Sequence, residues 1–160
     1  MKAVWVAALC LLPLCAMADP VEVTDSTALL NRGAQPTENL PCPKGWRVEA
    51  NPSVENSLSY LHEGGDLAVN ISYVADTSGQ NVLPEAYARV AAEQMNCQMP
   101  VASNLISKAW SFYCDNEDIE AIVYGSEGNL VLLAISGRTP ATEPHLMDFV
   151  RFLASEASRR

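Results

Sequence analysis

The residues able to do covalent or metal chemistry are few: five cysteines and two histidines in 160 residues. Cys10 and Cys15 fall in the apolar start of the chain, leaving Cys42, Cys97 and Cys114. If the chain is exported, its thiols meet an oxidising compartment, and a disulfide is expected among them. Cys97–Cys114 is the preferred pair, because Cys97 falls where a helix should end and Cys114 falls late in the following strand. Closing that loop stabilises by about 3 kcal/mol. Cys42–Cys97 and Cys42–Cys114 stay open, since spacing does not determine connectivity. Cys42 lies in Pro41-Cys42-Pro43 with no neighbour that would activate a thiolate, so it reads as a packed thiol. The sharper alternative is an intermolecular or catalytic thiol.

His62, Glu63 and Asp66 share one glycine-rich turn and could hold a divalent cation if a further ligand came from elsewhere. The plainer reading is a solvated turn in which Gly64 and Gly65 supply positive φ. Asp115, Glu117, Asp118 and Glu120 form a second acidic group that lacks the register and glycine of a calcium loop. It reads as a charged hairpin tip that blocks edge pairing. No CxxC or HxxxH pair suggests a zinc site, and no Gly-x-Ser-x-Gly or Cys–His signature suggests a nucleophile. His145 falls in the first turn of the last expected helix, where an imidazolium is disfavoured, and reads as a neutral surface residue. No catalytic residue and no cofactor is implied. Tyr73 and Trp110 belong to the aromatic set that should fill the core. The alternative is that these two line a pocket in the sheet for an apolar ligand or peptide.

Export is read from residues 1–18. Met1-Lys2 is a short basic start, residues 4–15 are almost wholly apolar, and Ala16-Met17-Ala18 is a small-x-small cleavage site. The stretch is too short for a spanning helix, and no later run approaches that length, so no stable membrane insertion is expected. Cleavage at Asp19 is preferred over lipidation of Cys15, because Leu12-Pro13-Leu14 lacks the small residues lipidation wants. Losing Lys2 takes the formal charge from −9 to −10. A scattered acidic surface without a basic patch argues against nucleic acid as a partner. The style of the leader points to a periplasmic or secreted bacterial protein.

The elements that would position these groups follow from periodicity. Residues 19–41 are polar and carry Pro20, Pro36 and Pro41; they read as a flexible N-terminal segment, with room for a short helical turn near Ser26 to Asn31. A single domain, 42–160, follows. Trp46, Val48 and Ala50 alternate with charges, Leu58 and Tyr60 alternate with serines, and Leu67, Val69, Ile71 and Tyr73 give the clearest strand. Pro84 opens a helix, with Asn81 as its candidate cap. Leu83, Ala86, Tyr87, Val90, Ala91 and Met95 form its apolar face. Strands follow at Ala109 to Cys114, Ile119 to Tyr124 and Leu130 to Ile135. The last of these is apolar on both faces and therefore covered on both. A helix from about Thr142-Glu143-Pro144 carries Leu146, Phe149, Val150 and Leu153. The result is an α+β protein, β-β-β-α-β-β-β-α: a mostly antiparallel six-stranded sheet flanked by helices as an α/β/α sandwich.

This element order, with Gly45-Trp46-Arg47-Val48 and Leu67-Ala68-Val69-Asn70-Ile71, resembles the PsbP-like superfamily, which includes the DcrB-like periplasmic proteins, over about residues 43 to 154. The resemblance implies a non-enzymatic binding or assembly role. The expectation is therefore an exported accessory protein that works by contact with an envelope protein. A carrier or sensor of a small apolar ligand or divalent cation is the alternative. A thiol-redox protein or hydrolase comes third.

Overall fold

Alternation of apolar and polar residues predicts strands that each bury one face, and in a computed structural model of the chain they form one sheet. The structure describes residues 19–24, 26–30, 39–51, 54, 56–75, 81–126 and 128–159; the expected leader, 1–18, lies outside them. Helix α1 (Thr27–Leu30) precedes strands β1 (Trp46–Ala50), β2 (Ser57–His62) and β3 (Ala68–Ala75). Helix α2 (Pro84–Gln94) leads to β4 (Val101–Ala102), β5 (Trp110–Cys114), β6 (Ile119–Ser126) and β7 (Asn129–Ser136), and α3 (Glu143–Ala157) closes the chain. The sheet order is β1-β2-β3-β7-β6-β5-β4, with every neighbouring pair antiparallel.

The class is α+β as expected, but among the described residues the sheet has seven strands instead of six. The extra one, β4, is two residues long, too short to show a period. It is held against β5 by the ladder and by Gln98 N–H to Tyr113 O and Ser103 N–H to Ala109 O.

One face of the sheet carries Trp46, Val48, Leu58, Tyr60, Val69, Ile71, Leu133 and Ile135, packed under Leu146, Phe149, Val150 and Leu153 of α3. The other face carries Phe112, Cys114, Ala121, Val123 and Leu130 under Ala88 and Ala92 of α2. β7 supplies residues to both clusters, the reason for its doubly apolar sequence.

Two expectations fail here. The described part of 19–41 is not free: Val23, Leu29, Leu30 and Leu40 are buried in the larger cluster, and 31–38 lie outside the described residues. Val21 N–H bonds Leu105 O, Ser107 N–H bonds Val21 O, and Ser26 Oγ meets Tyr124 Oη at 2.6 Å. Val23, the Leu29-Leu30 pair and Leu40 are spaced too irregularly to set a period, yet all four join the cluster under α3. Second, α2 buries Ala88 and Ala92, while Leu83, Val90 and Met95 are about half exposed. The alanines let the helix lie close on β5 and β6, which leaves the larger side chains outward. The helix is entered through Pro84 with no side-chain cap from Asn81 or Leu83. It ends at Asn96 in left-handed backbone (φ 57°), with Cys97 N–H donating to Ala92 O, a Schellman-type end.

Candidate functional site

That helix end aims Cys97 at the neighbouring strand. Cys97 and Cys114 are bonded, S–S 2.01 Å, the preferred one of the three pairings left open. The bridge joins the α2–β4 connection to β5. Cys42 is the free cysteine among the described residues; it is exposed instead of packed, and its thiol donates to the Trp46 carbonyl at 3.1 Å. Burial of the sulfur, and then the negative charge of Glu63, push this thiol above its ordinary value. A thiol held protonated is a poor nucleophile.

The alternative of a pocket shared by Tyr73 and Trp110 does not form. Tyr73 pairs with Val131 and packs on the α3 side, its hydroxyl donating to Asn129 Oδ1 at 3.0 Å. Trp110 pairs with Val123 and packs on the α2 side. The pairing register places the two rings on opposite faces of one sheet.

His62, Glu63 and Asp66 do not make a metal centre: among the described residues no three His, Cys, Asp or Glu side chains are placed to hold an ion. His62 continues the inward row of Leu58 and Tyr60, so its ring turns toward the α3 layer. There it stacks on His145, ring centres 4.1 Å apart and planes at 26°, and meets the edge of Trp46 at 5.2 Å. Its Nδ1 accepts the Gly64 N–H at 3.3 Å. Trp46 leans on Phe149 at 4.9 Å, and Phe149 meets Tyr60 at 5.0 Å. Tyr60 donates to Pro41 O, and burial raises its hydroxyl far above the usual range, keeping it a neutral donor.

The densest polar constellation was not singled out from the sequence. Gly137, at φ +84° with an added Cβ only 1.7 Å from Asp66 O, turns the chain tightly out of β7. Arg138 follows. Its Nε and Nη2 donate to the two oxygens of Glu143 at 2.9 Å each, its Nη1 to Glu120 at 2.6 Å, and Nη2 also to Asn104 at 3.2 Å. Ser111 Oγ donates to the other oxygen of Glu120 at 2.8 Å. The hydrogen bonds to Glu143, followed by those to Glu120, hold the guanidinium charged, and the same contact with Arg138 lowers the Glu143 carboxyl. An open cleft of about 420 Å³ lies beside them, lined by Glu120, Arg138, Thr139, Pro140 and Glu143. A smaller cleft adjoins it, lined in part by Tyr113 and Asp118, which are hydrogen-bonded to each other. Chemically this is a saturated ion pair: the carboxylates are occupied by Arg138, and Ser111 is spent as a donor. It ties the β7–α3 turn to β6 and to the loop before β5. One signal was legible: Glu120 has the parity of Ile122 and Tyr124, and an inward carboxylate requires a cation.

No protein-family model, no curated protein and no solved structure matches the chain. No helix among the described residues is long and apolar enough to cross a membrane.

Proposed function

We propose that this is an exported binding or assembly-accessory protein of the bacterial envelope that works by protein–protein contact and carries out no chemistry of its own. The observation that carries the reading is the distribution of exposed apolar side chains. Among the described residues six large ones are exposed, and five of them, Leu83, Val90, Met95, Met99 and Val101, fall in the run from α2 to β4 that the disulfide anchors. Scattered exposed apolar residues are ordinary; a group concentrated in one stretch of chain points to an interaction surface. Acidic residues flank it: Glu85 and Glu93 on α2, and Asp115, which accepts from Gln98 beside Met99. The lone basic residue of α2, Arg89, is paired with Glu85. The partner that fits is a protein presenting an apolar patch with a basic rim. The accessory role implied by the PsbP-like resemblance agrees with this reading, and export rests on residues 1–18.

The test is site-specific photo-crosslinking in the native host from Val90 and Met99, with exposed Val54 as the off-patch control. The expected result is one recurrent adduct from the first two positions only, lost in V101E and weakened by salt, with a partner whose contact surface is basic. Equal adducts from Val54, or none from the patch, would overturn the proposal.

A further inference from the structure

The chain has two histidines, 83 positions apart, and the fold stacks them on each other at the corner where the β2–β3 turn meets the start of α3. Metal binding does not explain the arrangement. Imidazole lone pairs lie in the ring plane, and two planes at 26° send them side by side instead of toward one point. We propose that the His62–His145 stack is an acid-sensitive latch that holds the first turns of α3 to the β2–β3 turn and loosens when both rings are charged.

Three features act in the same direction. Two imidazolium rings with centres 4.1 Å apart repel. His62 Nδ1 accepts the Gly64 N–H, and a protonated ring has no acceptor nitrogen left for that bond. His145 is the third residue of α3, where the exposed N–H groups of the helix oppose a cation. The charged and titratable neighbours on the meeting segments are Cys42 and Lys44 before β1, Glu63 and Asp66 on the turn, and Glu143 and Asp148 on α3. Glu143 is committed to Arg138 and Asp148 to Arg151, while Glu63 acts on the Cys42 thiol. Behind the stack, Trp46 and Phe149 connect it to the buried core, so loosening reaches the α3 layer. Imidazole is the side chain whose ordinary charge change is centred between pH 5 and 8.

The experiment is amide exchange on residues 146–149 of the processed protein at pH 5.0 and 7.5, each rate referred to its intrinsic value at that pH. Protection of these amides should fall roughly tenfold at pH 5.0, the loss that repulsion between two partly solvated charges produces, while α2 is unchanged. H145Q should abolish the difference without unfolding the protein, since His145 is exposed, and H62Q should do the same independently. Equal protection at both pH values, or the same fall in H145Q and H62Q as in the parent, would remove the latch.

Discussion

Replacing Arg138 by methionine removes four hydrogen bonds and one charge from the clamp between β6, the loop before β5 and the start of α3. The Glu120 arm is well covered, with side chains 19% and 16% exposed. Breaking a fully buried pair costs about 3–5 kcal/mol because the remaining charge is stranded. Here Ser111 still serves Glu120, so this arm is worth about 1.5–2 kcal/mol. Glu143 is 38% exposed, and solvent screening reduces its arm to about 0.5–1 kcal/mol. R138M should therefore lose about 2–3 kcal/mol in urea unfolding, which for a domain of this size lowers Tm by roughly 6–15 °C. The acid limb gives an independent check. Arg138 lowers the folded Glu143 carboxyl, so its stabilisation is fully present above the ordinary carboxylate value and disappears as pH falls through the folded one. Parent and variant should differ most near neutrality and converge in acid. A double-mutant cycle with E143Q isolates the Glu143 arm. A Tm within about 2 °C of the parent at pH 7, or a gap that stays constant into acid, would refute the reasoning.

Removing the disulfide as C97A/C114A should cost about 3 kcal/mol by urea unfolding and should speed proteolysis within 95–101, because the bridge anchors that segment; unchanged cleavage there would show that the β4 ladder suffices. C42S should change stability by no more than about 0.5 kcal/mol, as its bond is a single thiol contact at a site away from the core. G137A should lose about 3 kcal/mol or more by the same measurement, since its Cβ meets Asp66 O at φ +84°. Tyr73→Ala and Trp110→Ala should be additive within about 0.5 kcal/mol, because the two rings pack on opposite faces; a large coupling energy would restore a shared pocket.

The chain's own pattern was enough wherever a few neighbouring residues decide the outcome. Alternation from Trp46 to Tyr73 and from Trp110 to Ile135 gave each strand and its inward side chains. Pro84 marked where α2 begins, and Leu146, Phe149, Val150 and Leu153 marked the buried face of α3. The Cys97–Cys114 bridge was the preferred pairing from the expected helix end and strand end, but only the fold decided it against the two pairings with Cys42. What the tertiary structure alone decided depends on residues far apart in the chain. Alternation fixes which side chains of one strand share a face, but the phase between β3 and β5 is set by pairing through β7 and β6, and that phase parts Tyr73 from Trp110. The face α2 buries follows from how closely Ala88 and Ala92 approach the sheet, a property of the layer and not of the helix. β4 exists only because β5 and the disulfide hold two residues extended. His62 meets His145 only with α3 docked on the sheet, whereas Arg138 reaches Glu120 across the paired ends of β6 and β7, a register that alternation within one strand does not reveal.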